Sequence, residues 1–473
     1  MKTKMPMLSR CSFLVFSLLA GGQAAAAAVP APAKPNIIVI LADDLGYGDL
    51  GSYGASHKTP ALDRLASEGF RATNLILPAN VCSPSRAALL TGRYPMRNGH
   101  PFVFNEGIRC ALDPAELTMA ELLKTAGYRS LAVGKWHLGI EFEGAHPLDV
   151  GFDEFLGLKA NYPQAGGAGA EGGAKGNTST LYRGKAVEAG RTEMEELTAR
   201  YTDEVVRFIT RQQDGPFFVY MAHHIPHTPV KPSKAFAGTS GAGVYGDFVA
   251  ELDHSVGRVM KALKDSGREQ NTLVVFLSDN GATGRGSSGP LLGGKYVTTE
   301  GGHRVPGIFR WPGRIPAQQV GGTLISSLDL LPLFCDVAGV PLPKDRKIDG
   351  KNILDVLKGR SQKTPHDFLY YYNGTNLQAV RQGKWKLHLP RTLKDQPFWA
   401  QAGGPPAKPM LALKEPVLFD LDADIGEKTD VAAKNSDVVA LLLKEAARIR
   451  GELGDVRTVG SDQRPTWPAA NRD

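Results

Sequence analysis

Four short apolar runs recur along the chain, and each breaks off in residues that can carry chemistry. "NIIVILADD" ends in Asp43-Asp44, and "YRSLAVGKWH" in Lys135 and His137. "PFFVYMAHHIPH" ends in His223, His224 and His227, and "TLVVFLSDN" in Asp279-Asn280. Each run is short and β-branched or aromatic, which predicts a strand buried on both faces. Between them, "PALDRLASEGF", "TMAELLKTAGY", "ARYTDEVVRFITRQ" and "VAELDHSVGRVMKALKDSG" repeat their apolar positions at helical spacing. Strands alternating with helices predict an α/β fold whose large, mostly parallel sheet is flanked by helices on both faces. Ligands bind beyond the carboxyl ends of such strands. Four strands that deliver Asp, Lys, His and Asn there predict one site.

The pattern changes after "IDGKNILDVLKG". "HDFLYYYNG", "LQAVRQGKWKLHL" and "PVLFDLD" read as short antiparallel strands, and "DVVALLLKEAARIRGEL" as an amphipathic closing helix. The expected organisation is a catalytic domain over residues 33–345 and a smaller C-terminal α+β domain over 346–473. The glycine-rich stretch 163–177 reads as a mobile loop beside the site. Residues 1–28 begin with Lys2, Lys4 and Arg10, continue with the apolar run Phe13 to Ala20, and end in an alanine-rich A-x-A stretch. That is the pattern of a secretory signal, cleaved near Ala28, and its apolar run is too short for a lasting membrane anchor. An exported protein, periplasmic or secreted, is expected, with no membrane attachment after cleavage.

Composition refines this picture only at two points. Removing the three positive charges of the signal takes the net charge from +7 to +4. That surplus, without a basic block or interleaved aromatics, excludes nucleic acid as the expected partner and suits a small anionic substrate. Of the four cysteines, Cys82, Cys110 and Cys335 remain after cleavage. An odd number leaves one thiol over. Cys335 lies in the apolar run "SSLDLLPLFCDVAGV", and whether it pairs with Cys110 is left open by the sequence.

Cys82 is the odd one. It sits in "NVCSPSRAALLTGRYP", on a polar turn ahead of a helix read from Ser85 to Leu90, where it looks presented rather than packed. Asp43, Asp44, Asp279 and Asn280 offer only oxygen ligands, which suits a hard divalent cation such as calcium. Clustered carboxylates would also repel one another without a cation. Arg86, Lys135, Lys295, His137 and His227 share that edge, and the helix after Cys82 aims its amino end at them. Cations, metal and helix dipole together suit the transfer of a tetrahedral oxyanion. His223 and His224 are weaker candidates, one of them expected simply to pack or hydrogen-bond. His100 and His303 have no argument beyond their glycine-rich turns.

These residues resemble the type I sulfatase family of the alkaline-phosphatase-like superfamily, its arylsulfatase A-like branch in particular. "CSPSRAALLTGR" is similar to the family signature, and "PNIIVILADDLGYGDLGSYG", "GKWHLG", "HTP", "LSDNG" and "GGKYVTTEGGHRVPGIFRWPG" follow in the family's order. The resemblance implies hydrolysis of a sulfate ester of an aryl, sugar or similar alcohol. It implies a formylglycine nucleophile made from Cys82 by a maturation enzyme, and one divalent metal, calcium, held by Asp43, Asp44, Asp279 and Asn280 with the modified Cys82. Arg86 would hold the formylglycine, Lys135 and Lys295 the sulfate oxygens, His227 the leaving-group oxygen, and His137 would accept a proton. After "GFDEFLG" the family pattern often has a serine, where this chain reads Leu158-Lys159-Ala160-Asn161, so Asn161 stands outside the catalytic set. A phosphonate or phosphodiester hydrolase of the same superfamily remains the nearest alternative, with a non-catalytic binder of sulfated glycans and an unmodified-thiol enzyme behind it. Specificity is expected from the stretches 160–180 and 388–416. Two N-x-[ST] triplets begin at Asn177 and Asn373.

Overall fold

The strands anticipated from the apolar runs form the middle of one twisted sheet in a computed structural model of the chain. The described residues are Met1, 34–104, 110–160, 178–211, 214–397, 399–400 and 405–468. The signal segment, Asn161, the glycine-rich stretch and Asn177 lie outside them. In chain order the strands of the large sheet are β1 (Asn36–Ala42), β2 (Phe70–Ile76), β3 (Arg129–Lys135), β4 (Glu154–Leu158), β5 (Thr178–Arg183) and β6 (Ala186–Glu193). There follow β7 (Phe217–Ala222), β8 (Thr272–Ser278), β9 (Arg304–Arg310), β10 (Gln319–Gly321) and β11 (Ile325–Ser326). Among the described residues these eleven pair in the order β10-β2-β9-β8-β1-β7-β3-β4-β5-β6, with β11 also on β2.

The four strands read from the sequence are the consecutive parallel set β8-β1-β7-β3. Their alternate residues divide the core. Ile37, Val39 and Leu41 pack with the helices Cys82–Thr91, Met119–Lys124 and Leu330–Ala338 on one face. Ile38, Ile40 and Ala42 pack with Pro60–Ser67, Met194–Arg211 and Gly243–Asp265 on the other. The period-2 alternation of strand side chains makes each residue choose a face, and apolar residues on both faces require two helical layers.

Strand β9 escaped the sequence reading because it carries Pro306 in mid-sheet, where proline normally argues against a strand. Pairing with β8 stops at Gly307, and the β2 ladder shifts register between Ala72 and Leu75, opposite Pro306. The proline therefore sits where the ladder is already broken. A second sheet, β12 (Leu369–Asn373), β13 (Asn376–Gln382), β14 (Trp385–His388) and β15 (Val417–Asp420), is wholly antiparallel and is covered by the helix Ser436–Leu453. Cys82, Cys110 and Cys335 are all free thiols, so the Cys110–Cys335 pair left open by the sequence does not form. Cys335 is packed in the helix Leu330–Ala338, while the Cys110 thiol faces the Gly99 carbonyl at 3.6 Å.

Candidate active site

Parallel pairing puts the carboxyl ends of β8, β1, β7 and β3 side by side, and their next residues converge. Asp43 donates its backbone N–H to the Ile225 carbonyl, Asp279 donates to Ala42, and His223 to Leu41. At β3, Gly134 lets the strands approach closely. Its φ is +102°, and a Cβ there would stand 1.9 Å from the Ala222 carbonyl oxygen. Lys135 follows directly and is buried. Two non-glycine residues at this edge, Asp44 (φ +67°) and His137 (φ +61°), adopt left-handed backbone. Such conformations persist where surrounding contacts over-determine them, and they cluster at functional sites.

Cys82 is the first residue of the helix Cys82–Thr91, with Val81 as its extended N-cap. The helix thus starts three residues before the Ser85 expected from sequence, and Cys82 belongs to it rather than to a presented turn. The thiol is 1% exposed. Every residue of the helix is buried, so no face is left to keep its amino end at the surface. Its polar members are paired inside: Ser85 Oγ donates to the Ala79 carbonyl, Thr91 Oγ1 to Ala87, and Arg86 Nε to Asp279. The unpaired N–H groups of its first turn and its dipole favour negative charge at that end.

Around the thiol, three carboxylates meet three cations. Arg86 contacts Asp279 Oδ2 through Nη2 at 2.7 Å and Nε at 2.9 Å, and donates Nη1 to the Lys135 carbonyl. Lys135 Nζ lies 2.7 Å from Asp43 Oδ2. Lys295 Nζ lies 2.7 Å from Asp44 Oδ1 and 3.4 Å from Cys82 Sγ. The repulsion argument for a metal is therefore weaker than the sequence suggested, because the lysines and arginine already balance the carboxylates. Lys135 and Lys295, expected on sulfate oxygens, are here paired with Asp43 and Asp44.

The donor set still fits a hard cation on a different ground. Asp43 Oδ1, Asp44 Oδ2 and Asn280 Oδ1 are buried without a hydrogen-bond donor. Asn280 Nδ2 donates to Asp44 Oδ1 at 2.7 Å and to the Gly281 carbonyl, which leaves its own oxygen over. Buried oxygens without donors are costly, and oxygen is what calcium takes. Ligand atoms of Asp43, Asp44, Cys82 and His227 all lie within 4.8 Å of one another. Asp279, expected among the metal ligands, has Oδ1 on the Asp44 N–H and Oδ2 on Arg86.

Burial tends to raise both aspartates, yet the neighbouring cations outweigh it. Lys135 and His227 hold the Asp43 carboxyl below its ordinary range, and Lys295 and His227 do so for Asp44. Burial pushes the Cys82 thiol up against the pull of Lys135 and Lys295. A thiol kept protonated is a poor nucleophile, which weighs against the unmodified-thiol reading. His137 is held well below its usual value, by burial first and then by Lys135 and Arg86. Its Nε2 lies 2.9 Å from the Phe104 carbonyl, which can only accept, so Nε2 carries the proton and Nδ1 a free lone pair. The Phe104 N–H in turn donates to Ser83 Oγ.

The remaining histidines separate clearly. His227 Nε2 faces Asp44 Oδ2 at 3.7 Å. His223 Nε2 lies 3.4 Å from Ser255 Oγ, and His224 packs its ring edge-on against Tyr201. His303 bonds the Leu77 carbonyl and packs on Tyr371, and His100 is fully buried outside the group formed by Asp43, Asp44, Cys82 and His227. Sequence reasoning missed Phe104, Asn80 and Tyr296, which shape the site through backbone groups. No side-chain signal could have revealed them. Two surface grooves, of about 490 and 650 Å³, lie elsewhere and are lined by no residue of the Cys82 cluster.

Comparison with known proteins agrees with this geometry. The family model described as Sulfatase matches residues 35–340, and that for the C-terminal region of aryl-sulfatase matches 364–469. N-acetylgalactosamine-6-sulfatase of Canis lupus familiaris is 43% identical over 403 residues, covering 80% of this chain and 75% of that protein. Arylsulfatase A of Homo sapiens is 38% identical over 470 residues, covering 93% and 92%. A solved chain described under the metabolism of multiple glycosaminoglycans by Bacteroides thetaiotaomicron superposes with a TM-score of 0.77 at 30% identity, covering 88% of this chain and 99% of that one. With the metal-type oxygens, the cation cluster and the buried Cys82 at one sheet edge, these matches carry one conclusion: the chain belongs to the sulfatase family and is a sulfuric ester hydrolase.

Proposed function

We propose that this sulfatase acts through a formylglycine made from Cys82 and a bound calcium ion, is exported, and removes sulfate from sugars or similar alcohols. The observation that carries the reading is the position of Cys82 Sγ, within one ligand-sized cluster with Asp43, Asp44 and His227 and 3.4 Å from Lys295 Nζ. An aldehyde hydrate at this position supplies two hydroxyls, one to attack sulfur and one whose proton must leave before sulfate is released. Asp43, Asp44 and Asn280, with Asp279 beside them, would hold a calcium ion, which would supply Lewis-acid stabilisation of charge on the transferred group. An ordinary serine would lack the second hydroxyl.

The chain's own residues divide the remaining work. Arg86 fixes Asp279 and is the candidate group for holding the formylglycine. Lys135 and Lys295 stand ready to exchange their carboxylate partners for the oxygens of the sulfuryl group. His137 has the free Nδ1 needed to accept the second hydroxyl's proton. His227, beside Asp44, is the candidate acid for the leaving oxygen. Because the thiol is buried, a maturation enzyme must reach Cys82 before the chain closes. Export rests on the signal pattern of residues 1–28. No helix of the described residues is long and apolar enough to cross a membrane. Preference for sugar sulfates rests on the N-acetylgalactosamine-6-sulfatase relative.

Peptide mass spectrometry of active enzyme tests the reading, with sulfur at position 82 expected to be replaced by an aldehyde oxygen. The same preparation should lose turnover of sugar sulfates on chelation and regain it with calcium. Full turnover from protein whose Cys82 is wholly thiol, or from metal-free protein, would overturn it.

A further inference from the structure

The triplet Asn373-Gly374-Thr375 has the pattern of a glycan acceptor, yet its asparagine is not at the surface. Asn373 ends β12 and is 1% exposed. Its Nδ2 donates to the Tyr296 carbonyl at 2.8 Å, and its Oδ1 accepts from Trp399 Nε1 at 2.9 Å. A carbonyl can only accept and an indole N–H can only donate, so these partners fix which way the amide points.

The peptide it holds is unusual. Tyr296 has φ +80°, a left-handed conformation that a bulky residue keeps only where its neighbours enforce it. The Tyr296 N–H is tied to the Asn80 carbonyl, two residues ahead of Cys82, and the Lys295 N–H to Ala282. Lys295 immediately precedes this turn and places Nζ between Asp44 Oδ1 and Cys82 Sγ. Loss of the Asn373 donor would take this partner from the Tyr296 carbonyl and release the turn that directs Lys295.

We propose that Asn373 is a positioning residue for the sulfatase site: from the four-stranded sheet it holds Tyr296 in its left-handed turn and thereby aims Lys295. This rests on the reading of Lys295 as a group that holds sulfuryl oxygens. It also removes Asn373 from the set of glycan acceptors, since both ends of its amide are used inside the fold.

A double-mutant cycle tests it. In Asn373→Asp the carboxylate can still accept from Trp399 but cannot donate to Tyr296. The expected result is a loss in kcat/KM of about 10- to 100-fold, the scale of a small misplacement in a reacting site, with weaker inhibition by inorganic sulfate. In a Lys295→Ala background the same substitution should add less than about twofold, because residues that act through one another are not additive. Thr298→Val cuts a neighbouring link between the same segments, Thr298 Oγ1 to Gln378 Oε1, and should leave sulfate inhibition in place. If Asn373→Asp does not fold, Asn373→Ser, too short to reach Tyr296, carries the same cycle.

Multiplicative losses in the double mutant, or an equal effect from Thr298→Val, would reduce Asn373 to a general structural role and overturn the proposal. Full activity in Lys295→Ala would overturn the Lys295 reading itself and the proposal with it. Wild-type kinetics in Asn373→Asp, with Lys295→Ala impaired, would overturn the proposal alone. A glycan on Asn373 in active enzyme from a glycosylating host would do the same.

Discussion

His227 commits its two ring nitrogens differently. Nδ1 lies 2.5 Å from the Thr228 carbonyl and so carries a proton, while Nε2 faces Asp44. An acid role needs Nε2 protonated as well. Burial opposes that and lowers the group, whereas Asp44 and Asp43 favour it. A nitrophenolate leaves unaided and an alkoxide does not, so acid help is worth ~10²–10⁴-fold only for the second. His227→Ala should therefore slow alkyl or sugar sulfates far more than nitrophenyl sulfate. Lys135→Ala and Lys295→Ala should slow both alike, since both substrates share the sulfuryl group. Comparable losses on the two substrate types in His227→Ala would withdraw the acid assignment. Asp43, Asp44, Lys135, Asp279 and Asn280 were legible because each stands at or just past the end of a strand with a chemistry-bearing side chain. The pairing of Lys135 with Asp43 and Lys295 with Asp44 was not, since it joins residues 92 and 251 positions apart by number.

At the scale of elements, the segment from Lys295 to Glu300 decides how the small sheet serves the large one. Its far end is Glu300, fully buried, which accepts from Tyr371, Arg381 and Lys386, each at 3.0 Å. Burial would raise this carboxyl, yet Lys386 and Arg381 hold it well below its usual range. Breaking one side of a buried ion network leaves uncompensated charge and costs about 3–5 kcal/mol. Glu300→Gln should destabilise by about that amount, read as a lower urea midpoint at unchanged slope. A shift below about 1 kcal/mol would show that Glu427, which also contacts Lys386, carries the network alone. The sequence signalled a helix from Ser85, three residues short of its true start, and the small sheet's strands. It did not signal β9, because Pro306 violates the local rule that the broken ladder excuses.

Across the whole molecule, buried neutral histidines make acid the expected weakness. Burial takes His100 and His388 down to about 4, and His223 and His303 to about 3. An unfolded histidine titrates near 6.5. Above that pH neither state binds the proton. Between 6.5 and about 4 the unfolded chain gains protons that the native rings refuse, so stability present at pH 7 is lost as pH falls. Each such histidine contributes a slope of about 1.4 kcal/mol per pH unit at its limit. Urea midpoints measured from pH 7 to 4.5 should decline steadily, and more shallowly in His100→Leu. Identical slopes in the two proteins would mean that His100 titrates in the native state as it does unfolded.

The sequence by itself determined the layer order and the edge at which chemistry would gather. Both follow from local rules: apolar runs of strand length form buried strands, and parallel strands present their carboxyl ends together. Only the tertiary structure decided that Cys82 is buried rather than presented, that three cations answer three carboxylates, and that Asn373 points inward at Tyr296. Each of these depends on which distant segments meet and on which polar atoms remain without a partner. Periodicity along the chain carries no information about either, because burial and hydrogen-bond satisfaction are properties of the packed interior.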